Sequence, residues 1–221
     1  DLYPEDDPRV LSLNGAFNVG NRGIVEFVEV FKNEIEFLHT MLTATQEKRV
    51  PSPGKNDMIY FDGVILSHCN ESEWNRFKSE HTNEAILDRV LKIEVPYVLE
   101  LEQEMKIYTK MIKRSDFRTA HIAPHTIKVA SMFSVMSRLK QTNKCDILTK
   151  MKIYNGEAII EKGRVKKVDI KDLKDEAKNE GMEGISTRFV MKALDAALSD
   201  SDKEMITPIN VIDSMIKQVK E

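Results

Sequence analysis

Apolar residues change period as the chain is followed from one end to the other. Residues 23–30 form a nearly continuous apolar run of the kind that predicts a buried strand, interrupted by Glu26 and by Glu29 at its end. Residues 33–45 place Ile35, Leu38, Met41 and Leu42 at helical spacing. Residues 48–50 and 58–61 flank Pro51-Ser52-Pro53-Gly54, which predicts a hairpin. Residues 63–67 are a short apolar run, the signature of a parallel strand buried on both faces, and the run stops at His68-Cys69-Asn70. Helices are predicted over 73–79 and 83–89, then a strand over 90–95 that Pro96 ends. Beyond Pro96 the period becomes helical, over 99–112 and over 124–139 with Pro124 in the first turn. Residues 141–180 differ in character and read as an insertion, with a hairpin expected around Asn155-Gly156 and a basic run at 162–167. Two amphipathic helices close the pattern, 186–198 capped by Ser186 and 207–219 with Thr207 as N-cap and Pro208 at the first helical position.

This pattern implies an α/β class, with a parallel-sheet core over 1–96 and a mostly helical subdomain over 97–221. Composition narrows the picture only slightly. The chain has 221 residues, 41% of them hydrophobic, enough for a real core. Charged residues make up 31%, yet the net charge is −3, so no overall field calls for nucleic acid or an acidic membrane. Only Cys69 and Cys145 occur, far apart and without metal-type spacing, which favours free thiols and a reducing, cytoplasmic setting. No apolar run reaches the length of a membrane span, roughly 18 residues. Asn70-Glu71-Ser72 matches a glycosylation sequon and is read as chance.

The acids near residue 29 carry the candidate chemistry. Nucleotide-hydrolysing α/β folds bind ligand beyond the carboxyl ends of parallel strands, where a glutamate can polarise the water that attacks a terminal phosphate. Glu29 occupies such a place, and strict alternation puts Glu26 on the opposite face. His68 and Cys69, adjacent on a strand, point apart and do not suit one metal site. Trp74 and Phe77 are expected to pack a helix on the sheet, and Met132, Phe133, Met136 and Leu139 to form helical core.

Five stretches make the chain resemble the ATPase part of the PrkA family, bacterial serine protein kinases built on an AAA+ module. They are GAFNVGNRGIVEFVEVFK (15–32), EKRVPSPGK (47–55), VILSHCNESEW (64–74), AILDRVLKIEVPY (85–97) and HIAPHTIKVASMFSVMSRL (121–139). The wider MoxR-like AAA+ pattern agrees in order and spacing. Glu29 ends the Walker B strand, Glu47-Lys48-Arg49-Val50 forms a hairpin arm, Asn70 ends the next strand, Leu87-Asp88-Arg89 follows, and Gly184-Ile185-Ser186-Thr187-Arg188 opens a lid helix.

The resemblance implies a partial AAA+ core, holding Walker B, sensor one and arginine finger, followed by a helical lid. It assigns Glu29 as the base, Asn70 as sensor one on the water or γ-phosphate, Arg89 as a finger acting in a neighbouring subunit, and Arg188 as the sensor-two arginine of the lid. It implies ATP and Mg²⁺ as ligands, a protein substrate, a homo-oligomer, and a part in a bacterial stress or developmental pathway. A protein-remodelling or protease-linked ATPase and a non-enzymatic regulatory lid are the alternatives. Two departures stand out. Val28 occupies the place of the magnesium-holding aspartate, and no glycine-x4-glycine-lysine-serine/threonine loop occurs in the sequence. The chain is therefore expected to be a fragment that begins after that loop and does not grip nucleotide alone. Eukaryotic-type kinase loops are also absent, since Phe61-Asp62-Gly63 has the wrong order.

Overall fold

A computed structural model of the chain describes residues 15–52, 58–114, 121–161, 164–166, 169–199 and 205–220. These fall into two compact units, 1–92 and 93–221.

The first unit begins with a single helical turn, α1 (Ala16–Val19), and then β1 (Ile24–Phe27), shorter than the apolar run foretold. A 3-10 turn (Val30–Lys32) leads to α2 (Ile35–Gln46). The hairpin is present as β2 (Arg49–Pro51) and β3 (Met58–Tyr60), paired antiparallel from Arg49 opposite Tyr60 to Pro51 opposite Met58. Its turn, 53–57, lies outside the described residues. β4 (Val64–Ser67) pairs parallel with β1, from Ile24 opposite Val64 to Phe27 opposite Ser67. The expectation that this strand is buried on both faces fails, because Val64 is 56% and Leu66 48% exposed. Among the described residues of the unit, nothing covers these two side chains.

After β4 come α3 (Glu71–Ser79), a 3-10 turn (His81–Asn83) and α4 (Glu84–Leu87). Phe77 packs not on the sheet but on the 3-10 turn after β1, its ring stacked 4.1 Å from Phe31. Trp74 tilts against the same ring at 5.8 Å. Val30, Leu38, Phe77 and Ile86 form the buried cluster that joins this turn to α2, α3 and α4. The strand foretold over 90–95 does not form. The segment is irregular, without ladder partners among the described residues, and Leu91 and Val95 are exposed. An extended apolar run becomes a strand only where a neighbouring strand accepts its hydrogen bonds.

The second unit is helical: α5 (Leu101–Arg114), α6 (Thr126–Arg138), α7 (Ile147–Tyr154), α8 (Ile170–Glu176), α9 (Thr187–Ser199) and α10 (Pro208–Lys220). Two short parallel strands, β5 (His121–Ile122) and β8 (Met205–Ile206), and a hairpin, β6 (Ile159–Glu161) with β7 (Arg164–Lys166), complete it. Pro124 precedes α6 rather than opening it, and His125 leads into the helix with a left-handed φ of 68°. Asn155-Gly156 is not a hairpin turn. It ends α7, with Gly156 at φ 77°, the conformation that favours glycine beyond a helix C-terminus. The hairpin lies a few residues later, and the side chains of the 162–167 basic run lie outside the described residues.

Residues 141–180 are packed into the body of this unit. Met151, Ile153, Tyr154 and Leu173 share one buried cluster with Leu101, Val135 and Leu139, and Met132 and Met136 pack against it. A second cluster joins α5 and α6 to α9 and α10 through Tyr108, Ala130, Val190, Leu194, Val211 and Met215. The two caps near the end form as read: Phe189 N–H donates to Ser186 Oγ at 3.3 Å and Asn210 N–H to Thr207 Oγ1 at 3.3 Å. Among the described residues no helix is long and apolar enough to cross a membrane.

Candidate functional site at the strand ends

Past their ladder, β1 and β4 stay joined. His68 N–H donates to Phe27 O at 2.8 Å and Val30 N–H to His68 O at 3.1 Å. These bonds hold the segments bearing Glu29 and Asn70 side by side at the carboxyl end of the parallel pair.

Glu29 is not on the strand. It lies two residues beyond β1 in the left-handed region, φ 56° and ψ 45°, so the alternation argument that set it opposite Glu26 does not reach it. This conformation costs a non-glycine residue about 1–2 kcal/mol. It turns the chain sharply enough for Val30, the next residue, to be buried at 3% exposure while Val28 stays outside. The Glu29 carboxylate is half exposed and accepts a hydrogen bond from Lys32 Nζ at 2.8 Å. That hydrogen bond, and then the carboxylate's charge, hold the Lys32 ammonium above its ordinary pKa.

Asn70 is the N-cap of α3. Its Oδ1 accepts from Glu73 N–H at 2.8 Å and from Ser72 Oγ–H at 2.7 Å. Its Nδ2 has no partner among the described residues, so capping uses one end of the amide and leaves the donor end open. Lys32 Nζ also lies 3.7 Å from Glu73 Oε1, and the other Glu73 oxygen is buried without a hydrogen-bond partner among the described residues. Glu29, Lys32, Glu73 and Asn70 thus form one connected group. Lys32 and Glu73 were not singled out in the sequence, although Asn70-x-x-Glu73 has the spacing of a capping box and Glu29-x-x-Lys32 that of a helical ion pair.

Nearby, Glu26 Oε1 lies 2.7 Å from His68 Nε2, both exposed. Arg89 follows α4, whose Ile86 shares the buried cluster with Val30. Its guanidinium is exposed and turned back on its own helix, donating from Nη1 to Ala85 O. It does not ion-pair with Asp88 and touches neither Glu29 nor Asn70.

Arg188 belongs to the other unit. It is exposed in the first turn of α9, and the loop before it is firmly held. Ile185 O accepts from Arg138 Nε at 3.0 Å and Nη2 at 2.9 Å, and Ile185 N–H donates to Ser137 Oγ at 3.0 Å. Gly184 has φ 118°, and a Cβ there would lie 2.8 Å from Ser137 O and 3.0 Å from Arg138 Cα. Arg138 also donates to Val98 O at 2.8 Å and to Glu104 Oε1 at 2.7 Å, with its side chain wholly buried.

The donor set does not suit magnesium. Val28 stands where a carboxylate is needed, Glu26 is engaged by His68, and the described residues gather no group of three or more histidine, cysteine, aspartate or glutamate side chains fit for a metal.

A parallel strand pair with acid and amide at its carboxyl end defines a class, and comparison with known families specifies it. Residues 1–146 match the family described as the PrkA AAA domain, so the class is that of AAA modules. Residues 148–221 match the PrkA serine protein kinase C-terminal domain, and the chain belongs to the PrkA family. It is 39% identical over 213 residues to ATP-dependent protease PrkA of Bacillus subtilis (strain 168), covering 96% of this chain and 33% of that protein. It is 38% identical over 220 residues to serine/threonine kinase YeaG of Escherichia coli (strain K12), covering 99% and 34%. The chain spans about a third of the length of these curated relatives. A solved structure of NtrX from Brucella abortus matches 84% of this chain and 44% of its own at 15% identity, with a TM-score of 0.43, too loose to bear on function.

The two family segments meet at residues 146–148, inside the second compact unit. Lys150 Nζ donates to Lys140 O at 2.9 Å and Lys140 N–H to Glu180 Oε1 at 2.8 Å, so part-buried bonds cross that boundary. It divides the sequence without dividing the core.

Proposed function

We propose that this chain is the Walker B, sensor and lid portion of an ATP-hydrolysing AAA+ module that serves a PrkA-type serine protein kinase in the bacterial cytoplasm. The observation that carries the reading is the juxtaposition of Glu29 and the open Nδ2 of Asn70 at the carboxyl end of two hydrogen-bonded parallel strands. In-line attack on a terminal phosphate needs an oriented water and a donor on the phosphoryl oxygens. Glu29, released from Lys32, accepts the proton of that water, and Asn70 Nδ2 donates to the water or to a γ-phosphate oxygen. Lys32, nearer to Glu29 than to Glu73, holds the carboxylate until ATP arrives. Arg89 on its exposed helix end supplies charge to the ATP of a neighbouring copy, which makes the active form a homo-oligomer. Arg188 reports the phosphate state to the lid through the loop that Arg138 anchors. The loop that grips the phosphates belongs to the remainder of the whole protein, given relatives about three times as long. No step is assigned to magnesium.

The test is made on the whole protein. Glu29→Gln is expected to bind ATP but reduce single-turnover hydrolysis by about a hundredfold or more, since an amide takes no proton. Arg89→Ala should abolish hydrolysis by the oligomer and leave binding intact. Wild-type turnover in Glu29→Gln sinks the assignment, most directly if Glu26→Gln is the inactive variant.

A second reading is a protein-remodelling ATPase coupled to proteolysis. It is favoured by the name of the Bacillus subtilis relative, whose identity to this chain equals that of the kinase-named one within a percentage point. Incubation with a casein substrate and γ-labelled ATP separates the two: label transferred to protein supports the kinase, and ATP-dependent cleavage without label supports the protease.

A further inference from the structure

The described residues of the second unit pair their buried cations completely and leave a group of surface cations unpaired. Arg138 and Lys150, both nearly inaccessible, each meet a buried carboxylate, Glu104 and Glu180. On the outer side of α5, by contrast, Lys106, Lys110 and Lys113 recur at i, i+4 and i+7, on one face over about 10 Å of helix. Arg114 follows, and Lys128 of α6 faces the same space. None of the five has a hydrogen-bond or ion-pair partner among the described residues.

They rim a groove of about 800 Å³ whose lining includes the half-buried Met105 and an edge of Leu101, which is only 3% exposed. Among the described residues two carboxylates, Glu102 and Glu157, line it, and Glu157 already accepts from Asn155 Nδ2 at 3.0 Å. Helix electrostatics do not account for the arrangement. Lys113 and Arg114 complement the carboxyl end of α5, but Lys106 and Lys110 lie in its middle. Lys128 sits in the first turn of α6, where the helix dipole disfavours a cation. Lysines at i and i+4 also repel one another. Five of the chain's 33 lysines and arginines face this one groove.

We propose that this groove docks an acidic, amphipathic segment of a partner protein, carboxylates against the five cations and an apolar side chain against Met105. Charge complementarity and the apolar Met105 choose this occupant over single-stranded nucleic acid, which uses aromatic platforms that the described lining of the groove lacks. The site lies wholly in the helical unit and does not depend on the nucleotide chemistry.

The experiment measures fluorescence anisotropy of a labelled helical peptide, glutamate on one face and leucine on the other, added to the 221-residue chain. The peptide should bind, and K106E/K110E/K113E should weaken it about tenfold or more, as should raising salt from about 50 to about 300 mM. The neutral K106Q/K110Q/K113Q variant should give an intermediate loss. Reversal of Lys78 and Lys178, exposed elsewhere, should change nothing. All three lysines of α5 are exposed, and a thermal melt checks that each variant remains folded. Equal binding by the triple variant, equal binding of a peptide with glutamine for glutamate, or no binding at all overturns the proposal. Tighter binding of oligothymidylate, lost in the same variant, replaces it with a nucleic-acid groove.

Discussion

The two units differ in where they put their charge and how far they finish their burial. In the first, the ion pairs Lys32-Glu29, Lys48-Asp62 and His68-Glu26 are all about half exposed, and apolar residues of both parallel strands stand open, Ile24 at 63% and Val64 at 56%. In the second, Arg138-Glu104 and Lys150-Glu180 lie at 3% exposure or less, tied to Tyr108 and Tyr154 by hydrogen bonds of 2.5 Å. Exposed pairs contribute little to stability, whereas a buried pair broken on one side leaves an uncompensated charge in the core. A parallel sheet normally has both faces covered. The candidate chemistry therefore sits in the unit whose described residues leave its sheet uncovered, and the specific packing sits in the unit that carries Arg188.

The largest effect is expected from breaking the buried network. Arg138→Met leaves Glu104 without its guanidinium, with Glu104 Oε2 already unpartnered, at a cost of about 3–5 kcal/mol. Trp74 is the single tryptophan and lies in the first unit, so its fluorescence reports that unit while far-ultraviolet circular dichroism is dominated by the helices of the other. The dichroism transition in urea should fall and the tryptophan transition stay. If both move together, the contrast between the units is wrong. The same network makes an acid prediction. Burial pushes the Glu104 carboxyl up, but hydrogen bonds from Arg138, Tyr108 and Ser134 outweigh it and hold the group below its ordinary value of 4.5. A depressed carboxyl stabilises the fold above the unfolded pKa and loses that contribution as pH falls through the folded one. The helical transition should therefore weaken as the solution is taken below about pH 4.5, and the loss should vanish in E104Q/R138M.

A smaller effect is expected at Asn70. Asn70→Ala removes the α3 cap and should lower the tryptophan-reported transition by about 1 kcal/mol, while Asn70→Asp keeps it. An unchanged Asn70→Ala midpoint would mean that the cap contributes nothing in this unit. The smallest change has the opposite sign. Glu29→Gly relieves the left-handed residue and should stabilise the first unit by up to about 1 kcal/mol, even as it removes the proposed base. A fall instead would show that the Glu29 side chain supports the fold.

Much of the helical half was legible from periodicity and capping alone. Ser186, Thr207 and Pro208 stand where read, because capping depends on a few consecutive residues and hardly on the rest of the chain. The parallel pair and its order were also legible, as was the position of Asn70 at the end of its strand. The strand at 90–95 and the double burial of 64–67 were misread because both depend on neighbours in the sheet, which local apolar content does not supply. Asn155-Gly156 shows the same limit, since one dipeptide with a left-handed glycine suits a hairpin turn and a helix end alike.

For the candidate site, residue types and order along the chain were determined by sequence: an acid after one strand, an amide after the next, an arginine after a short helix, another opening a later helix. Tertiary structure decided what each side chain is doing. The left-handed turn at Glu29 exists because Val30 is drawn into the cluster with Phe77 and Ile86 while its N–H reaches His68 O. Asn70 is divided between cap and open donor only because α3 starts immediately after it. The burial of Arg138, which anchors the loop ahead of Arg188, follows from long-range hydrogen bonds to Val98, Glu104 and Ile185. Partners 34 to 47 residues away leave no local period in the sequence, so only the folded chain brings them together.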